Sequence, residues 1–145
     1  MEKWGDKPYH SLDYENKKRF GEKVYKISLA GGTTCPNRDG TLGTRGCCFC
    51  SGSGSGDFAA TKGSITEQIE EAIARVSRYK NAGHHFTAYF QSFTATYAPV
   101  ETLRAAWEEA MTHESVVTLA IATRPDCLGD DVLSLLVDCC RKMPV

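Results

Sequence analysis

Strand-like and helix-like segments alternate along most of this chain, and the alternation limits the folds open to it. Residues 24–29 alternate apolar and polar side chains, residues 85–91 repeat that pattern with aromatic residues, and residues 116–122 form a continuous β-branched apolar run. A stretch with apolar residues at helical spacing follows each of the three. We therefore expect an α/β fold in which three consecutive βα units form a parallel sheet through right-handed crossovers.

Start signals mark the three predicted helices. Ser64 and Glu67 have the spacing of a capping box, in which each side chain bonds the other residue's backbone amide. Pro99 suits the first turn of the second helix. Asp130 and Asp131 suit the start of the third helix, because the helix dipole favours negative charge there.

The composition fits one domain with an ordinary core. The chain has 145 residues, of which 41% are hydrophobic and 24% are charged. We interpret residues 1–20 as an N-terminal extension with a short helix near residues 12–20, and residues 21–145 as the α/β domain. Neither a signal peptide nor a long apolar segment is predicted, so we expect a cytoplasmic protein without a membrane partner.

The longest connection, residues 29–58, is rich in glycine and holds four of the seven cysteines: Cys35, Cys47, Cys48 and Cys50. A loop of this length without secondary structure is usually functional or disordered, and four thiols favour a function. In a reducing compartment they do not indicate a disulfide framework. Thiolates are ligands for zinc, copper(I) and iron–sulfur clusters, so the loop predicts a metal site or redox chemistry.

The cysteine spacing leaves three interpretations. A structural zinc site needs four ligands, but only the Cys47 and Cys50 pair forms a complete knuckle, and no histidine lies in the loop. Three thiolates suit a four-iron cluster with one open iron. A zinc-binding interaction module and a thiol redox protein using Cys47 and Cys50 are the alternatives. The redox pair is followed by the run SGSGSG, which we expect to be flexible, rather than by a helix that would stabilise its thiolate.

The loops that follow the three strands are expected to meet at one edge of the sheet. In parallel α/β sheets, ligands bind beyond the carboxyl ends of the strands. The polar and thiol residues expected at this edge are Cys35, Cys47, Cys50, Gln91, Ser92, Thr123 and Arg124.

Three segments carry a resemblance to a known family. They read FGEKVYKISLAGGTTCPNRDGTLGTRGCCFCSGSGSGDFA, YFQSFTATYAPVETL and IATRPDCL. The combination of CPNRDGT, the CxFC tail and TRPDC resembles the YhcC/YtqA group of radical S-adenosylmethionine proteins, relatives of the Elp3-like enzymes that share a widened first cysteine gap. The resemblance extends from about Tyr9 to the end of the chain.

The resemblance implies a cofactor set and residues that bind it. Cys35, Cys47 and Cys50 would hold a [4Fe–4S] cluster whose open iron chelates S-adenosylmethionine. Phe49 would lie beside the adenine, Gln91 and Ser92 near the methionine amino group, and Arg124 near a carboxylate or the ribose. Reductive cleavage of S-adenosylmethionine to a 5'-deoxyadenosyl radical would follow, with flavodoxin or ferredoxin as the electron donor.

The resemblance also implies a substrate and a longer chain. The related branch is associated with modification of the wobble uridine side chain of tRNA. The net charge is only −1, but the first 48 residues hold nine Lys or Arg against six Asp or Glu, which is compatible with phosphate contact. The family core resembles a partial barrel of six βα units. We therefore expect a fragment, the N-terminal part of such a core, with an exposed edge at the third strand.

Overall fold

The structure is a computed structural model and describes residues 3–145, so the first two residues of the predicted N-terminal extension lie outside it. The elements follow one another in the order α1 (Leu12–Phe20), β1 (Tyr25–Leu29), α2 (Ile65–Ser77), β2 (Phe86–Phe90), α3 (Val100–Thr112), β3 (Val116–Ile121) and α4 (Asp130–Lys142). A short 3₁₀ turn, Pro125–Cys127, precedes α4. Each predicted strand and helix is present, and the strand ends shift by at most one residue.

The three strands form one parallel sheet in the order β1-β2-β3. Ile27 lies beside Ala88, which in turn lies beside Leu119. All strands run in one direction, so their carboxyl ends share one edge of the sheet. The predicted α/β class with three βα units is confirmed.

One face of the sheet packs against the helices and forms the core. Helix α2 packs on β1, α3 packs on β3, and α4 packs on α3. The largest fully buried side chains are Trp107, Phe86, Phe90, Ile27, Leu29, Ile69, Leu103 and Leu135. Each such side chain contributes about 1.5–3 kcal/mol relative to an exposed one, so this face provides most of the stability of the fold.

The opposite face of the sheet is polar. Lys26 lies 5.1 Å from the centre of the Tyr89 ring, and the hydroxyl oxygens of Thr87 and Thr118 are 2.6 Å apart. A continuous apolar run such as that of β3 is typical of a parallel strand buried on both faces, but this interpretation is wrong here, because Thr118 and Ala120 are only half-buried. The apolar run of β3 therefore reflects one packed face and one partly open face.

The predicted open edge at β3 is partly covered. The backbone amide of Leu119 donates a hydrogen bond to the carbonyl oxygen of Pro144, with the two atoms 2.9 Å apart. Residues near the end of the chain thus lie along β3 and satisfy one of its outward-facing groups.

The helix start signals have the expected effect at two of the three positions. The Ser64 hydroxyl accepts from the Glu67 amide at 3.2 Å, and the Glu67 carboxylate accepts from the Ser64 amide at 2.7 Å, which completes the capping box. Asp130 and Asp131 lie in the first turn of α4. Pro99 is the residue before α3 rather than part of its first turn. Within residues 3–145, none of the helices combines the length and apolar character needed to cross a bilayer.

Candidate metal centre

A cavity of about 380 Å³ lies at the carboxyl ends of the three strands, where the sequence predicts a ligand site. The loop after β1 provides most of its wall, and the loops after β2 and β3 complete it. The residues that line it are Cys35, Asn37, Arg38, Cys47, Phe49, Cys50, Gly54, Phe93, Thr94 and Arg124. Three of the loop's four thiols therefore share one cavity, and Cys48, which is exposed, is outside its lining.

Backbone hydrogen bonds fold the eleven-residue gap between the first two thiols into a compact turn. The carbonyl oxygen of Cys35 accepts from the amides of Arg38 and Asp39 at 2.8 and 3.2 Å. The carbonyl of Asn37 accepts from the amide of Gly46 at 2.8 Å. The chain therefore returns on itself and brings Cys47 next to Asn37, which explains how so long a gap can present both thiols together.

The Arg38 side chain joins two parts of this loop. Its guanidinium donates to the carbonyl oxygens of Ser51 and Gly52 at 2.6 and 3.3 Å, and lies 5.5 Å from the centre of the Phe93 ring. Gly46 has a φ of +73°, and a Cβ at this position would lie 2.9 Å from the guanidinium. The Arg38 side chain thus contacts the residues just before Cys47 and just after Cys50, and it holds them against Phe93 in the loop after β2.

The SGSGSG run is packed rather than flexible, contrary to our expectation. Gly54 and Gly56 are buried. Gly54 has a φ of +62°, and a Cβ there would overlap the Phe93 ring; a Cβ on Gly56 would overlap the Ser92 hydroxyl. The Phe93 amide also donates to the Gly54 carbonyl at 2.9 Å. These two glycines are needed because the loop after β1 passes directly over the loop after β2.

Each of the three thiols that line the cavity accepts a side-chain hydrogen bond. Asn37 Nδ2 donates to Cys47 Sγ at 3.0 Å, and Ser55 Oγ donates to Cys50 Sγ at 3.7 Å. The Arg124 guanidinium lies 3.8 Å from Cys35 Sγ. Such donors favour a sulfur that carries negative charge, which is the state of a metal ligand.

The surroundings of Cys35 favour its thiolate. Burial by itself raises the pKa of this thiol, but hydrogen bonds from the Thr94 side chain, the Asn37 amide and the Arg124 guanidinium outweigh it, so the pKa lies below its ordinary value. The residue is buried, with 8% of its surface exposed. These three donors favour the thiolate form of Cys35, which is the form that binds a metal.

Arg124 is held by its neighbour Asp126. Its Nε and Nη2 donate to the two carboxylate oxygens at 2.9 and 2.7 Å, and these bonds lower the pKa of Asp126 and raise that of Arg124. Thr123, which we also expected at this edge, is exposed and bonds the Thr96 hydroxyl at 2.6 Å.

Of the four residues expected to contact S-adenosylmethionine, two line the cavity and two do not. Phe49 and Arg124 line the cavity, and 82% of the surface of Phe49 is exposed. Gln91 and Ser92 are outside the lining. The Gln91 side chain accepts from the Ser28 hydroxyl on the polar face of the sheet, at 3.4 Å. Ser92 is buried beneath Gly56, and its hydroxyl has no hydrogen-bond partner within residues 3–145.

The three thiols line a common cavity without converging on one point. Within residues 3–145, no three His, Cys, Asp or Glu side chains are close enough together to hold one metal ion. Cys127 is buried beside a neighbouring cavity, and burial raises the pKa of its thiol. The donor set around the main cavity therefore consists of the three predicted thiols and their hydrogen-bond donors.

Sequence reasoning missed several residues of this site. Asn37, Ser55, Phe93 and Thr94 either line the cavity or donate to a thiol. A signal existed for Asn37, because it lies two residues after Cys35 within the CPNRDGT motif that carries the resemblance. Phe93 and Thr94 reach the site only because β2 ends beside the cysteine loop.

The chain is similar to proteins from bacteria and an archaeon. It is 45% identical over 139 residues to the uncharacterized protein YtqA of Bacillus subtilis, a match that covers 92% of this chain and 41% of YtqA. It is 43% identical over 121 residues to the protein YhcC of Escherichia coli, covering 83% of this chain and 38% of YhcC. The uncharacterized protein MJ0486 of Methanocaldococcus jannaschii is 34% identical over 125 residues, covering 84% of this chain and 37% of that protein.

These relatives are longer than this chain, which spans about two fifths of their length. Their names state no activity, substrate or cofactor. No protein-family model matches the chain. No solved structure matches it either.

Proposed function

We propose that this chain is the cluster-binding part of a radical S-adenosylmethionine enzyme, with Cys35, Cys47 and Cys50 as the ligands of a [4Fe–4S] cluster. The observation that supports the proposal is that three of the loop's four thiols have a different environment from the fourth. The three cysteines that match the family motif line one cavity and accept hydrogen bonds, whereas Cys48 between them is exposed.

The donor set fits such a group. Thiolates are the ligands of iron–sulfur clusters, in which different irons are bound by different cysteines. The ligands therefore need to line a common space rather than converge on one ion, and these three thiols line one cavity. The zinc-binding alternative needs a fourth ligand, and the cysteine loop contains one complete knuckle and no histidine.

The protein's own residues would orient the ligands and limit the access of water. Asn37, Ser55 and Arg124 each hold one sulfur through a hydrogen bond. The rings of Phe49 and Phe93 provide apolar wall beside the thiols. When bound, a four-iron cluster supplies the electron for the reductive cleavage of S-adenosylmethionine, and the protein contributes binding and orientation.

The remaining wall of the cavity suits the nucleoside part of S-adenosylmethionine. Phe49 presents an exposed ring on which an adenine can stack. The positions of Gln91 and Ser92 give no support to their expected contacts with the methionine amino group, so we leave them out of the proposed site.

The larger assembly and the substrate are part of the same proposal. We infer that the three βα units form the first part of a partial (β/α)₆ barrel whose interior is the polar face of the sheet, and that the enzyme works in the cytoplasm with a flavodoxin or ferredoxin as electron donor.

For contact with tRNA phosphates, the available basic groups are fewer than the sequence suggests. Lys17 and Arg19 form ion pairs with Asp13 and Glu15. Arg45, which is exposed in the cysteine loop, is a better candidate for phosphate contact.

The test is anaerobic reconstitution of the chain with iron and sulfide, followed by assays of iron, sulfide and zinc and by EPR of the reduced protein with and without S-adenosylmethionine. We expect about four irons per chain, as in a [4Fe–4S] cluster, and a spectrum that changes when S-adenosylmethionine is added. Stoichiometric zinc without a cluster would favour the binding-module alternative and contradict the proposal. A cluster that ignores S-adenosylmethionine would retain the metal site and contradict its use in this chemistry.

A further inference from the structure

We propose that Arg124 is a positioning residue that sets the reduction potential of the cluster through Cys35, and that Asp126 holds it in place for this purpose. The inference rests on the proposed function and deepens it. It also replaces the role that the resemblance implies for Arg124, which is contact with a carboxylate or the ribose of S-adenosylmethionine.

The geometry around Arg124 leaves one nitrogen directed at the cavity. Asp126 occupies Nε and Nη2 through two parallel hydrogen bonds of 2.9 and 2.7 Å, the arrangement by which a guanidinium recognises a carboxylate. The remaining nitrogen, Nη1, lies 3.8 Å from Cys35 Sγ. Asp126 fills the Nε/Nη2 edge of the guanidinium, so a second carboxylate could approach only the Nη1/Nη2 edge, where Nη1 already faces Cys35 Sγ.

The backbone around Arg124 fixes this arrangement. Arg124 lies between β3 and the 3₁₀ turn, and its carbonyl oxygen accepts from the amide of Cys127 at 3.0 Å and from the Thr123 hydroxyl at 3.2 Å. The Thr123 hydroxyl in turn lies 2.6 Å from that of the buried Thr96. Arg124 is therefore held at its backbone by Cys127 and Thr123 and at its guanidinium by Asp126.

The contact with Cys35 differs in kind from the contacts with the other two thiols. Cys47 and Cys50 accept from the neutral groups of Asn37 and Ser55. Within the described residues, Cys35 is the one thiol of the three that accepts from a charged donor, and hydrogen bonds of this kind are about twice as strong as neutral ones. Cys35 is buried and 29% of the Arg124 side chain is exposed, so water screens this charge only in part.

A positive donor on a ligand sulfur stabilises the state with more negative charge. A reduced cluster carries one more electron than an oxidised one, so Arg124 should raise the reduction potential, and its removal should lower it. For Arg124→Gln we expect the ratio of reduced to oxidised cluster at a fixed potential to fall on the order of tenfold, which corresponds to about 59 mV for a one-electron couple. Arg124→Lys keeps the charge without the fork and should fall between Gln and wild type.

The experiment is an EPR-monitored redox titration of the reconstituted wild type, Arg124→Gln, Arg124→Lys and the matched control Arg141→Gln. Arg141 forms a similar pair with Asp138, at 3.1 Å, but lies exposed on α4 away from the cavity. The control removes the same charge and a single-bonded arginine–carboxylate pair, and we expect it to leave the potential unchanged.

Asp126→Asn separates anchoring from simple charge. Loss of the Asp126 charge alone would make reduction easier, whereas release of the guanidinium from Cys35 makes it harder. We expect Asp126→Asn to shift the potential in the same direction as Arg124→Gln. A shift in the opposite direction would overturn the anchoring role.

The failure of this inference is distinguishable from that of the proposed function. A wild-type protein without a four-iron cluster overturns both. A wild-type cluster that responds to S-adenosylmethionine, with equal potentials in Arg124→Gln and Arg141→Gln, overturns only the role of Arg124. An unchanged potential combined with a lost response to S-adenosylmethionine in Arg124→Gln would instead identify Arg124 as a cofactor ligand.

Discussion

The helix-covered sheet and the cysteine loop meet at the same strand ends, but different forces hold them. The sheet and its helices bury large apolar side chains such as Trp107, Phe86 and Leu135 almost completely. The loop, residues 29–58, depends instead on backbone hydrogen bonds, on the Arg38 guanidinium and on close-packed glycines. Fold stability and site geometry therefore have separate causes, and substitutions should affect one without the other.

The largest expected effect on stability lies in the core. Trp107→Ala should lower the free energy of unfolding by about 3–5 kcal/mol, because it leaves a cavity beneath α3 that the surrounding helices cannot fill. Urea denaturation measures this change. Trp4→Ala is the control, since Trp4 is half-buried and stacks on His10 near the start of the chain, and it should cost much less. Equal losses in the two variants would show that the core does not dominate stability.

The second effect tests the packing of the SGSGSG run. Gly54→Ala should destabilise the loop by about 1–3 kcal/mol, because its Cβ overlaps the Phe93 ring, and it should reduce the iron retained after reconstitution. Gly52→Ala, in the same run, meets no atom within 4 Å and should behave like the wild type. Similar iron retention in the two variants would contradict the packed arrangement.

An effect on cluster retention rather than on folding is expected for the neutral donor to Cys47. Asn37→Ala removes the 3.0 Å bond to the sulfur, and a hydrogen bond to a charged acceptor contributes about 1.5–3 kcal/mol where it is fully made. The cluster should lose iron faster to a chelator while urea stability changes little. Asn81→Ala, on the exposed loop after α2, is the control. A cluster as durable in Asn37→Ala as in the control would remove Asn37 from the site.

The smallest effect concerns the opposite edge of the sheet, where Glu22 accepts hydrogen bonds from the amides of His84 and His85 at 2.8 and 2.9 Å. These bonds hold the pKa of Glu22 below its ordinary value of 4.5. Its contribution to stability is therefore complete above about pH 4.5 and is lost as the pH falls through the lower pKa of the folded state. In Glu22→Gln the free energy of unfolding in urea should fall less between pH 6 and pH 3 than in the wild type. In Glu114→Gln, at an exposed position, it should fall as in the wild type.

Local patterns in the sequence were sufficient to predict the elements. The alternation at Tyr25–Leu29, the capping box at Ser64 and the helical spacing of α2 and α3 each depend on neighbours a few residues apart. Such local rules also placed Cys35, Cys47 and Cys50 at one edge, because parallel strands share their carboxyl ends.

Contacts between distant residues were not predictable in this way. Arg124 and Cys35 are 89 residues apart in the sequence, and no periodicity indicates that one would donate to the other. The composition of the SGSGSG run predicts a flexible segment, whereas in the structure it packs on Phe93 and Ser92. The resemblance implies that Ser92 lies near the methionine amino group of the cofactor, but its side chain is buried under Gly56.

The most direct test of the central claim compares two adjacent cysteines. Cys47 lines the cavity and accepts from Asn37, whereas its neighbour Cys48 is exposed. After anaerobic reconstitution, iron and sulfide assays should show loss of the four-iron cluster in Cys47→Ala and about four irons, as in the wild type, in Cys48→Ala. Equal iron content in the two variants, or loss in Cys48→Ala alone, would contradict the assignment of Cys35, Cys47 and Cys50 as the cluster ligands.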